Sequence, residues 1–152
     1  MEQSSKTLTF VVPAYNMETY LERCVESLLS ATDNSDIEVL IVDDGSSDGT
    51  PELADMYERR WPGNVRAIHQ VNKGHGGAVN TGIANATGMY VKVVDADDWV
   101  DMPSIDTLMG TLRVQRVATD PVDMIVTNYV YDKVGKRVKH TVNFRHAMAA
   151  NT

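Results

Sequence analysis

At 152 residues, with 43% hydrophobic and 23% charged residues, the chain is one domain's worth of globular protein, long enough to bury a core. A formal net charge of −7 and a pI near 4.9 exclude a binder of the nucleic-acid backbone, which needs a basic face, but not a small phosphorylated ligand. The lone cysteine, Cys24, excludes a disulfide or a zinc cluster, and no apolar run approaches the ~18 residues of a membrane span, so a soluble, cytoplasmic domain is expected.

Residues 7–12, Thr-Leu-Thr-Phe-Val-Val, predict a buried first strand closed by Pro13. Asn16 is placed to cap a helix over 17–31, with Tyr20, Leu21, Val25, Leu28 and Leu29 as its apolar stripe and Cys24 as a small buried residue. A second strand over 37–43 ends on Asp43 and Asp44. Thr50 as cap and Pro51 at the first helical position open a second helix reaching about Arg60. A weaker third strand over 65–70 leads through the glycine-rich turn 72–77 into a helix of small residues over 76–87. A fourth strand over 89–95 runs into the acidic turn Asp95-Ala96-Asp97-Asp98. Pro103 opens a helix to about Val117, with Asp98 and Asp101 as candidate caps. Residues 123–127 predict a fifth strand, and 130–132 and 137–139 flank the turn 133–136 of a hairpin. Alternating strands and helices predict an α/β fold, a three-layer α/β/α sandwich around a mostly parallel, Rossmann-like sheet, in a single domain over 1–152.

Two acidic strand ends in such a pattern point to a cleft for a metal-bridged nucleotide. Open parallel sheets bind ligands beyond their carboxyl ends, and Mn²⁺ or Mg²⁺ takes one or two carboxylates plus substrate phosphates. Asp43 and Asp95 are therefore expected at the carboxyl ends of neighbouring strands, facing one cleft. No G-x-G-x-x-G follows the first strand and no G-x-x-x-x-G-K-[ST] occurs, which argues against dinucleotide binding and excludes an NTPase phosphate loop. The run 43–49 could equally be a polar loop capping the next helix, since Asp, Ser and Gly favour turns. The backbone of 72–77 and Lys73 could face an anion, or the glycines could only permit a tight turn and close helix packing. Trp99 could pack against substrate or cover a loop edge, and the four histidines show no ligand spacing.

The segments Val11-Val-Pro-Ala-Tyr-Asn16, Val42-Asp-Asp-Gly-Ser-Ser-Asp-Gly-Thr50 and Val94-Asp-Ala-Asp-Asp98 resemble the family 2 glycosyltransferases of the GT-A fold, over about residues 7–130. The resemblance implies transfer of a sugar from a nucleoside-diphosphate sugar, commonly a UDP-sugar, to an acceptor hydroxyl with inversion. By it, Pro13, Ala14, Tyr15, Asn16 and Asp43 or Asp44 would hold base and ribose, with Lys73, Asp95, Ala96 and Asp97 completing the donor site. Asp95 and Asp97 would be the D-x-D motif, with Asp97 ahead of Asp95 as ligand of Mn²⁺ or Mg²⁺. Where many members carry A-R-N-x-G, this chain has Ala78-Val-Asn-Thr-Gly82, similar to the polyprenyl-phosphate mannosyl- and glucosyltransferase branch. The acceptor would be a saccharide or a lipid-linked glycan, and any contact with the inner membrane face would come through parts outside this chain. Inverting members place the general base some tens of residues past D-x-D, where neither Asp123 nor Asp132 matches. The expectation is a donor-binding portion, inactive alone, with its base beyond residue 152; the alternative is a non-catalytic nucleotide-binding module.

Overall fold

The computed structural model describes residues 6–133 and 135–145. Val134, inside the predicted hairpin turn, and the tail from residue 146 lie outside the described residues. The chain divides after Thr119 into two compact units. The first carries β1 (Leu8–Ala14), α1 (Leu21–Leu28), β2 (Ile37–Asp43), α2 (Thr50–Arg60), β3 (Val65–His69), α3 (Gly74–Asn85), β4 (Tyr90–Val93) and α4 (Met102–Arg116). The second carries β5 (Tyr129–Tyr131) and β6 (His140–Val142), an antiparallel pair.

In the first unit four parallel strands lie in the order β3-β2-β1-β4. β1 and β2 are buried along their whole length and mostly apolar, and within them the buried Thr9 hydroxyl donates to Glu38. Stepping from β1 to β2 to β3 puts α1 and α2 on one face, and the return to β4 puts α3 on the other, because such crossovers are right-handed. The layers follow: α2 packs on β2 and β3, α3 packs on β1 and β2. Beneath α3, Val11, Val42, Ala78 and Ile68 form a cluster. Gly82 is required there, since a Cβ would run into the Val11 side chain. The expected α/β sandwich is what forms. Among the described residues no helix is long and apolar enough to cross a membrane.

Several local expectations are corrected. Pro13 does not close β1; it lies inside the strand, paired with Val42. Alternation turns its missing N–H toward the β4 side, where the ladder has already ended at Val93, so nothing is lost. Helix α1 begins at Leu21, not 17, because Asn16 does not cap it: Asn16 adopts φ 53° and its side chain accepts from the Ser47 N–H instead. Thr50 likewise lends its hydroxyl to the Met17 N–H, and Asp48 accepts from the Thr50 N–H. Asp101 does cap α4, accepting from the Ser104 N–H at 3.1 Å, whereas Asp98 does not. Residues 123–127 form no strand; Met124 and Val126 stay exposed, and strand composition without a neighbouring strand to ladder with does not make one. The hairpin does form, with its first arm one residue earlier and its second three residues later, pairing 129–131 with 140–142.

Candidate functional site

Since β2 and β4 flank β1 on opposite sides, the strand order reverses at β1, and the loops beyond its carboxyl end border one crevice. The expectation that Asp43 and Asp95 end neighbouring strands is therefore corrected: β1 lies between β2 and β4.

The loops after β1 and β2 are stitched together. The Asn16 N–H donates to Ser46 Oγ at 3.0 Å, the Ser47 N–H to Asn16 Oδ1 at 2.9 Å, and the Glu18 N–H to Asp48 Oδ2 at 3.1 Å. Glu18 in turn accepts from the Gly49 N–H. Gly45, at φ +76°, makes the reversal possible, and a Cβ there would sit 2.9 Å from the Asn72 nitrogen. Pro13 and Ala14 are buried scaffold, while Tyr15, 50% exposed, and Asn16 rise from it.

Asp43 and Asp44 are both buried but face opposite ways. Asp43 Oδ1 accepts from the Ser46 N–H and Oδ2 lies 2.9 Å from His69 Nδ1, so both its oxygens are engaged on the α2 side. Asp44 Oδ1 accepts from Gln70 Nε2 at 2.7 Å and from the Lys73 N–H at 2.8 Å, at the start of α3. Both bonds land on one oxygen, leaving acceptor capacity on the other. Burial alone would raise the Asp44 pKa, but these donors, with the Gly74 N–H and the Lys73 charge, hold it below the usual carboxylate range. Gln70 is itself oriented by the Thr81 hydroxyl of α3. The Lys73 side chain is exposed at the crevice edge.

The acidic turn after β4 is held differently. Ala96 is buried and anchors it, and the Asp98 N–H donates back to the Asp95 carbonyl. Asp95 Oδ1 lies 2.8 Å from His75 Nε2. Asp97 is exposed, and its carboxylate has no hydrogen bond or ion pair among the described residues. Burial, then the charges of Asp97 and Asp95, raise the Asp98 pKa. Below the turn the Cys24 thiol is pushed up to about 12, by burial first and then by Asp98, Asp97 and Asp95, which makes it inert. Trp99 covers the loop edge with the Arg23 guanidinium 3.3 Å above its ring centre.

No group of three His, Cys, Asp or Glu side chains among the described residues could hold a metal unaided. The donor set nonetheless fits Mn²⁺ or Mg²⁺, which asks for hard oxygens and completes its shell with phosphates and water. An exposed carboxylate in a crowd of like charge is the place a cation relieves. Sequence reasoning missed His69, Gln70 and His75 as partners of these acids. The signal for His69 was register, since it pairs with Asp43 across β2 and β3 and so shares its face.

The chain is 40% identical over 131 residues to the glycosyltransferase GlyG of Streptococcus pneumoniae, covering 85% of this chain and 41% of GlyG. It is 38% identical over 106 residues to the chondroitin synthase of Escherichia coli, covering 70% of this chain and 15% of that protein. Among solved structures, S. aureus TarS 1-349 in complex with UDP-GlcNAc superposes with a TM-score of 0.64 at 26% identity, over 72% of this chain and 32% of that one. The mannosyltransferase PcManGT of Pyrobaculum calidifontis, in complex with GDP-Man and Mn²⁺, superposes at 0.62 and 27%, over 73% and 32%. The chain thus spans less than half the length of these relatives, and the fold it shares with them is of the GT-A type. Residues 9–149 match the model of glycosyl transferase family 2, and this chain belongs to that family.

Proposed function

We propose that this chain binds the nucleoside-diphosphate sugar, a UDP-sugar, for an inverting, metal-dependent glycosyltransferase that glycosylates an acceptor hydroxyl. The observation that carries the reading is that a recessed carboxylate with spare acceptor capacity, Asp44, and an exposed one, Asp97, follow the two strands that flank β1. Neighbours of the same fold have been solved with UDP-GlcNAc and with GDP-Man and Mn²⁺, which supports the ligand class.

In this reading Asp44 accepts from base or ribose N–H or O–H groups, and Asp43 shapes the loop that carries it. Tyr15 offers its ring to the base and Asn16 fixes the Tyr15 backbone. Lys73 and the N-terminus of α3 face the diphosphate. Asp97, with Asp95 beside it, would hold the cation, which when bound neutralises the diphosphate as it departs. Attack by the acceptor oxygen at the anomeric carbon needs a base, and we place that carboxylate outside residues 1–152, in the portion of the relatives that this chain does not span. Residues 1–152 are then a donor-binding portion, cytoplasmic, with the acceptor, a saccharide or lipid-linked glycan, met by other parts. Calorimetry with a panel of nucleoside diphosphates, with and without Mn²⁺, tests it. UDP should bind best and more tightly with metal; equal, metal-independent binding of all of them would refute the reading.

A further inference from the structure

His69 ends β3 on the face that packs against α2, and its ring lies between two carboxylates. Nδ1 is 2.9 Å from Asp43 Oδ2 and Nε2 is 3.0 Å from Asp55 Oδ1 of α2. A carboxylate can only accept, whereas a neutral imidazole has one N–H and one lone pair. Both short contacts are satisfied together only when both ring nitrogens donate, that is, by the imidazolium. Losing the proton turns a lone pair toward one carboxylate and releases it.

Asp43 is not free to move without consequence. Its other oxygen accepts from the Ser46 N–H, Ser46 Oγ accepts from the Asn16 N–H, and Asn16 accepts from the Ser47 N–H. The next residue, Asp44, is braced by Gln70, which follows His69 directly. We propose that His69 is a positioning residue for the nucleotide site: protonated, it latches α2 to Asp43 and so sets the 43–49 loop that carries Asp44 and steadies Tyr15. Nucleotide affinity then depends on pH through a group that never touches the nucleotide. The charged groups acting on the ring are Asp43 from β2 and Asp55 from α2. Hydrogen bonds to Asp43, then to Asp55, raise the histidine's pKa above its usual value, with burial opposing.

This inference rests on the nucleotide reading, and two readouts keep the failures apart. The first is NMR of residues 1–152 between about pH 5 and 9, following the His69 ring nitrogens and the loop amides. The second is calorimetry with UDP and Mg²⁺ over the same range. Both His69 nitrogens should carry protons at the acid end, and the Asp44, Ser46 and Ser47 amide resonances should shift with the ring's midpoint. The UDP dissociation constant should rise about tenfold across that midpoint, the weight of one charge-assisted hydrogen bond. UDP itself titrates at about pH 6, so His69→Gln serves as the comparison that removes the shared step. In that variant the amide titration and the matching step in affinity should vanish. Asp55→Asn, half-exposed on α2 and so tolerant of change, gives the neutral ring's lone pair an amide donor, so it should move the ring's midpoint to lower pH and shrink the amide and affinity steps. Amide titration that persists in His69→Gln, or one affinity profile for all three proteins, would overturn the proposal. Loop amides that follow His69 while UDP fails to bind at any pH would support the latch and overturn the nucleotide reading instead.

Discussion

The two acidic strand ends hold their carboxylates in opposite ways. After β2, Asp43 and Asp44 are buried and ringed by donors from Ser46, His69, Gln70 and Lys73, with acceptor capacity left on one Asp44 oxygen. After β4, Asp97 is exposed and without a partner among the described residues, and Asp98 feels its acidic neighbours as a penalty. A buried carboxylate ringed by donors is rigid and suits recognition of a base or ribose. A crowded, solvated set of carboxylates costs folding energy that a cation would return. In our proposal the same residue type serves recognition at one strand end and charge neutralisation at the other.

In our proposal neither acidic end provides for the acceptor, and the largest expected effect lies there. Residues 1–152 alone should bind UDP yet transfer sugar about 10²–10⁴-fold more slowly than a form carrying the acceptor base, from loss of general-base assistance. Transfer by these residues at the rate of complete enzymes, in a product assay with a UDP-sugar, would show that the base is already present.

The β2 end should break first when its carboxylate is removed. Asp44→Ala strands the Gln70 amide and the Lys73 N–H and should cost about 1–3 kcal/mol in chemical denaturation, along with most UDP affinity. Asp97→Ala strands nothing, so its denaturation midpoint should stay within about 0.5 kcal/mol of the parent. Equal destabilisation by the two would erase the contrast.

The β2 end also responds to pH on both sides. His69 has a raised folded pKa, so its contribution is fully present below the unfolded value of about 6.5 and is lost as pH rises through the higher folded value. Asp44 has a lowered folded pKa, so its contribution is present above the unfolded value of about 3.9 and is lost as pH falls through the lower folded value. Melting temperature should therefore fall on both sides of a weakly acidic maximum, and His69→Gln should flatten the alkaline side alone.

The smallest expected effect is a gain. Asp98→Asn removes one member of the acidic crowd and should stabilise the chain by a few tenths of a kcal/mol, about the size of a surface charge effect, in the absence of divalent cation. Added Mn²⁺ should narrow that gain.

Much of this was legible in the chain itself. The alternation of apolar runs and helical stripes is enough to predict a parallel sheet, and the two acidic runs stand out because they follow strands. Loop contacts were not legible, because Asn16 and Thr50 look like helix caps by local spacing and are diverted by partners about 30 residues away. Residues 123–127 have strand composition, yet composition carries no information about whether a ladder partner is at hand. The different surroundings of Asp43 and Asp44 could be separated only by register, which set one beside His69 and turned the other toward α3.

The central claim is that Asp44 recognises the nucleotide while Asp97 serves the cation, and calorimetry of UDP against the parent, Asp44→Asn and Asp97→Ala, with and without Mn²⁺, tests it most directly. Asp44→Asn should weaken UDP in both conditions and keep the metal-dependent gain. Asp97→Ala should bind UDP as the parent does without metal and gain little when Mn²⁺ is added. A parent-like response to Mn²⁺ in Asp97→Ala, or UDP affinity unchanged in Asp44→Asn, would contradict it.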